Sequence, residues 1–202
     1  MQAQTIISLR EIKSADDFNE MARRKRWPML CDVTCAFIYP KHRDLLAVWR
    51  DLARPDRIPY RREMTPRLLA PYMKSLSLFE RIAGKDDSRR YRVRLMGGDV
   101  VAVTGELTGK FLDEAIPDEF LESWYALADL PLAHGKPLRV LIRTDTFDKG
   151  YLVAESLTLP LRADDGELRL FFAASRYDGT RSWSSVAAEE ALRLGLPSEG
   201  IL

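Results

Sequence analysis

Few side chains in this sequence are placed to do chemistry. His42 and His134 have no cysteine or carboxylate at the spacing that a zinc site requires. His134 stands beside Gly135 just past a helical pattern, which reads as a surface position at a helix C-terminus. Cys31 and Cys35 lie four apart and could share a helix face, but two cysteines make no disulfide framework. A reduced, cytoplasmic setting fits them better than a secreted one. No serine sits in a nucleophile elbow. The glycines at 97, 98, 105 and 109 have the wrong spacing for a dinucleotide-binding loop. The carboxylates of Glu80, Glu114, Glu119 and Glu155 are scattered, and no pair stands out for acid–base work. Glu155 alone falls on an apolar strand face, where a carboxylate either orients a ligand or marks an exposed strand edge. No catalytic residue and no metal ligand is assigned.

The elements that would position a site follow from hydrophobic period. Ser14 is an N-cap for a helix from Ala15 to about Arg26 with Phe18, Met21 and Ala22 on one stripe, and Trp27-Pro28 should end it. Ile6, Ile7 and Leu9 suggest a short strand or arm before it. Asp44 is a cap for a second helix whose face is Leu45, Val48, Trp49 and Leu52, stopped by Arg54-Pro55. Thr65-Pro66 opens a short third one that Pro71 limits.

From Ser75 the period changes to two. Leu76, Leu78 and Ile82 form one strand, and 84–88 a hairpin loop. Tyr91, Val93 and Leu95 then alternate with Arg90, Arg92 and Arg94. A short helix around Val100–Val103 follows, then a longer one from Pro117 with Phe120, Leu121, Trp124 and Leu127 on its face, ended by Pro131. Three strands close the pattern: Leu138–Arg143, Tyr151–Leu161 and Leu168–Ala173, with Asp164-Asp165-Gly166 as a hairpin turn. Ser184 or Ser185 could cap a last helix through Leu194. Strand runs separated by one helical block indicate an α+β fold with an antiparallel sheet.

Lys and Arg number 31 against 30 Asp and Glu, for a net charge of +1, which argues against a protein built to bind polyanions. With 46% hydrophobic and 30% charged residues, the chain can build a core. Met1 to Ile12 lacks the pattern of a signal peptide, and no apolar run approaches the roughly 18 residues that a membrane helix needs.

Several segments, taken in order, resemble a known family. Leu46 to Leu52 with Trp49, Ile58-Pro59, Thr65-Pro66 and Leu76–Phe79 lead into Tyr91 to Gly97, which ends in an Arg-Leu-x-Gly motif, and Gly105-Glu-Leu-Thr-Gly109. Together they resemble single-domain bacterial PAS proteins over about Leu45 to Tyr177. That family often has a threonine where this chain has Gly98. The resemblance implies a PAS-like five-stranded antiparallel sheet in spatial order 2-1-5-4-3 with helices on one face. It divides the chain into an N-terminal extension (1–44), a PAS-like domain with its leading helices (45–177) and a C-terminal helix and tail (178–202).

The resemblance implies a sensory or regulatory module, not an enzyme, acting through a small ligand, protein contacts or both. It names no cofactor, and the cysteine motif of flavin light sensors is absent from the helical block. The alternatives are a small enzyme using a cone-shaped α+β cavity, or a ligand-free dimerisation scaffold. A pocket would lie between the long helix and the sheet. Its candidate residues are Tyr72, Arg94, Phe120, Trp124, Leu127, Val140, Ile142, Tyr151 and Phe172, although Arg94 alternates with the apolar face. The expected partners are a second copy of the chain, a downstream protein and a small apolar ligand, with neither nucleic acid nor membrane. The dimer is expected because the Phe18/Met21 stripe and the Leu45/Trp49 face cannot both pack on the core.

Overall fold

The computed structural model describes residues 12–54, 57–83 and 89–197. The expected arm at Ile6–Leu9, the hairpin loop 84–88 and Pro55 lie outside them.

Helix α1 (Ala15–Lys25) starts where Ser14 accepts the Asp17 N–H and Asp17 accepts the Ser14 N–H, a reciprocal capping box. Its Phe18 and Ala22 are buried against the long helix and the sheet, a contribution of roughly 1.5–3 kcal/mol for the phenylalanine alone. Strand β1 (Met29–Asp32), which the sequence pattern does not signal, follows directly.

Helix α2 (Pro40–Ala53) begins four residues before Asp44, with Pro40 in its first turn and no side-chain cap of its own. The cap comes from across the molecule. Glu155 accepts the N–H groups of Ile38 and Tyr39, both at 2.9 Å, at the positive end of the helix. Helix α3 (Pro66–Leu69) is one turn capped by Thr65 and continues into a 3-10 segment through Pro71.

Strands β2 (Leu76–Ala83) and β3 (Arg89–Met96) form the expected antiparallel pair. Helices α4 (Gly98–Thr104), α5 (Leu112–Ala115) and α6 (Asp118–His134) come next. Pro131 does not end α6 but lies within its last turn. There it removes a single backbone bond, and the helix runs on to His134. Strands β4 (Leu138–Thr144), β5 (Lys149–Arg162) and β6 (Leu168–Asp178) and helix α7 (Trp183–Leu194, capped by Ser182) follow. Gly166, at φ +93°, supplies the left-handed turn between β5 and β6.

Among the described residues the sheet has six antiparallel strands in the order β1-β4-β5-β6-β2-β3. Without β1 this is the 2-1-5-4-3 order implied by the resemblance, so the α+β, PAS-like architecture stands and the count of five does not. The expectation of helices on one face is also corrected. Helices α1, α4, α5 and α6 cover the inner face, while α2, α3 and α7 cover the outer one. Strand β5 shows why. From Val153 to Leu161 every residue is buried, the mark of a strand covered on both sides.

Both apolar stripes that motivated a dimer are packed inside the chain. Phe18 lies against α6 and β4, and Leu45 and Trp49 lie against the outer face, where the Trp49 indole donates to the Pro160 carbonyl at 3.0 Å. A further correction concerns β3. Leu78 pairs with Leu95 but Phe79 pairs with Val93, so Arg94 is a bulge residue. The bulge turns Leu95 to the outer cluster and leaves Val93 and Met96 on the inner face.

One ionic cluster ties the outer elements together. Arg139 on β4 is fully buried and donates to Glu155 at 2.7 Å and, through both Nη atoms, to Glu190 of α7 at 2.8 and 2.9 Å. Arg193 of α7 binds Glu190 and Asp32 of β1. Glu155 is therefore neither at an exposed edge nor free for a ligand.

Candidate functional site

Between the inner face and α4, α5 and α6 lies a cavity of about 90 Å³. Its walls are apolar. Val93 and Met96 of β3, Val100 of α4, Leu112 of α5 and Trp124 and Leu127 of α6 all contribute. Aromatic contacts crowd it: Phe79 stacks on Phe171 at 5.0 Å, and Trp124 meets Phe147 edge-on at 5.8 Å. The Trp124 indole nitrogen donates to Thr146 at 2.9 Å, which fixes the ring.

The floor differs from the walls. Ser77 of β2, Ala154, Ser156 and Thr158 of β5, and Ala173 and Ser175 of β6 place small and hydroxyl-bearing side chains side by side. Ser156 and Ser175 share a hydrogen bond of 2.8 Å, and Thr158 donates to the Leu138 carbonyl at 3.3 Å. Burial pushes the Tyr177 phenol, also on the lining, up to about 12, so it stays neutral. Among the described residues, none that lines this cavity carries a charge.

Four of the expected pocket residues, Trp124, Leu127, Val140 and Ile142, line it. The others lie elsewhere. Phe120 packs in the neighbouring cluster of α5, α6 and β3. Phe172 points to the outer face, because on β6 it is Phe171 and not Phe172 that faces inward. Tyr72 joins that same outer cluster from the 3-10 segment. Tyr151 is 68% exposed. Arg94 is exposed and pairs with Glu80.

Other candidate chemistry is sequestered. Cys31 lies in the inner cluster and Cys35 in the outer one, so they do not share a face. Burial raises both thiols, Cys35 to about 11, which leaves neither as a ready thiolate. Among the described residues, no group of three His, Cys, Asp or Glu side chains is arranged to hold a metal. None of the helices among them is long and apolar enough to cross a membrane.

No protein-family model matches this sequence, and no curated protein matches it. Among solved structures it is similar to an RNA-binding light-oxygen-voltage receptor, at 15% identity and a TM-score of 0.39. The match covers 70% of this chain and 40% of that one, so the chain spans well under half the length of the receptor. The fold assignment rests on the strand order itself.

Proposed function

We propose that this chain is a non-catalytic sensory module of PAS type that takes a small, neutral, largely apolar molecule into its inner cavity. The observation that carries the reading is the uncharged lining over a hydroxyl-bearing floor. An ionised ligand there would have no counter-charge, and burying an unpaired ion costs several kcal/mol. An apolar body would meet the Leu, Val, Met and aromatic walls, while one polar group would reach the floor. Ser77 is the best reader of that group: it is 3% exposed, lines the cavity, and its hydroxyl makes no hydrogen bond to a described residue.

Size narrows the class further. A volume of about 90 Å³ is below the roughly 300–1,000 Å³ of common ligand pockets. An occupant much larger than a single ring must push the wall back. The wall best able to yield is the α4–α5 stretch, which has positive-φ glycines at 105 and 109. It is tied down by Lys149 to the Ala102 carbonyl and by Arg90 to Asp113. Displacement of that stretch on binding would change the surface offered to a downstream protein. Arg57, Arg90 and Arg94 are each paired with a carboxylate, which leaves these three less free to meet phosphate.

Native mass spectrometry of the purified chain, followed by thermal shift against a panel of neutral small molecules, tests the reading. A co-purifying neutral ligand, or a melting shift reduced in Ser77→Ala, supports it. The same small size favours a second reading, a core closed by its own aromatics. Trp124→Ala separates the two. A filled core loses roughly 3–5 kcal/mol and gains no ligand response. A pocket loses less and responds to larger ligands than before.

A further inference from the structure

On the outer face, a groove of about 210 Å³ opens among the loop from β1 into α2, the end of β6 and the start of α7. Its floor is apolar, with Leu141, Val153 and Val186 all buried. Ile38, 58% exposed, and Tyr39 rise from the loop, while Arg176, Asp178 and Arg181 stand on β6 and the turn into α7.

The charged groups are not equivalent. Arg181 pairs with Glu189. Asp178 accepts the N–H and the hydroxyl of Thr180, at 2.8 and 2.7 Å. Arg176 stands directly across the ladder from Glu155, where an ion pair would ordinarily form. It does not form, because the Glu155 carboxylate is taken by Arg139 and by the Ile38 and Tyr39 N–H groups. Arg176 instead lies over the Tyr39 ring, 5.6 Å from its centre, and donates a single bond of 2.8 Å to the Tyr177 carbonyl. Among the described residues, no carboxylate lies within ion-pair distance of it.

A guanidinium steadied by an aromatic ring, with donors to spare beside an apolar slot, matches a carboxylate carried on an apolar body. We propose that this groove is a second binding site, for a small monocarboxylate with a short branched or aromatic body. The carboxylate meets Arg176, and the body lies over Leu141, Val153 and Val186. Asp178 and Glu155 nearby disfavour a dianion or a phosphate. The site lies across the sheet from the inner cavity and does not depend on what that cavity holds.

Calorimetric titration of the full chain with isocaproate, hydrocinnamate and the neutral hydrocinnamide tests this. Both acids should bind with a Kd of about 1 mM or tighter, and the amide about tenfold more weakly. Arg176→Gln, a surface change, should cost about tenfold in acid affinity with the melting temperature unchanged. In methyl NMR spectra Val153 and Val186 should shift, while Val100 and Leu112 of the inner cavity should not. Equal binding of acid and amide, wild-type affinity in Arg176→Gln, or no saturable heat with either acid overturns the proposal. So do shifts confined to the cavity methyls, or binding of a leucine-terminated peptide where the free acids fail.

Discussion

Arg139 and Glu155, neighbours on β4 and β5, meet at 2.7 Å with the arginine wholly removed from solvent. Each does a second job. Arg139 grips Glu190 of α7 with two donors, and Glu155 caps α2. One pair thus joins α2 and α7 to the middle of the sheet. Arg139→Met would strand two buried carboxylates, and the expected cost is roughly 3–5 kcal/mol. Urea unfolding measures it. A loss below about 1 kcal/mol would show that the cluster is wet and weak.

Glu155 also sets an acid limit. Burial pushes its carboxyl up, but the nearby His42, Arg139 and the loop N–H groups outweigh that and hold it at about 2, against an ordinary 4.5. Because the native value is depressed, the stabilisation is complete above pH 4.5 and drains away as pH falls toward 2. Its size is on the order of 3 kcal/mol. Unfolding free energy measured from pH 6 to pH 2 should fall through that window. Glu155→Gln should be less stable at neutral pH and show a flatter slope, and an unchanged slope would contradict the assignment.

Adjacent glycines should behave oppositely. A Cβ on Gly97 would lie 2.2 Å from the Met73 carbonyl oxygen and 2.3 Å from that of Lys74, both backbone atoms. Gly97→Ala must therefore shift the chain, with an expected loss of about 2 kcal/mol or more. Gly98 has nothing within 4 Å, so Gly98→Ala at the start of α4 should be neutral or gain several tenths of a kcal/mol. Thermal melts of the two variants give the comparison. Equal melting temperatures would refute the steric argument.

Trp49→Phe keeps most of the apolar contact on the outer face but removes the donor to Pro160. A buried carbonyl without its partner costs about 1–3 kcal/mol. Chemical denaturation should show a lower midpoint with an unchanged slope. Wild-type stability would mean that water replaces the indole.

What the residue pattern discloses and what it hides have physical causes. Alternation reveals β2 to β6, and helical period reveals the Trp124/Leu127 face, so the apolar walls of the cavity are legible. Its floor is not. Ser77, Ser156 and Ser175 have the polarity of a solvent-facing strand side, and nothing local says that α6 covers them. Strand β1 is four residues, all buried, too short to show a period. The start of α2 is hidden because its cap is 115 positions away from Pro40, on Glu155. Arg94 looks like an ordinary alternating residue, and only the pairing of Phe79 with Val93 exposes it as a bulge.

Because β5 is enclosed on both sides, it works as a partition between two compartments. Ala154 and Ser156 look into the inner cavity, and Val153 and Glu155 look into the outer groove. Laced to β4 and β6 along most of its length, it cannot rotate one face away without carrying the other with it. Its pleat assigns alternate side chains to two chambers that share a wall one peptide chain thick. A one-residue slip of β5 would therefore exchange the linings of both at once.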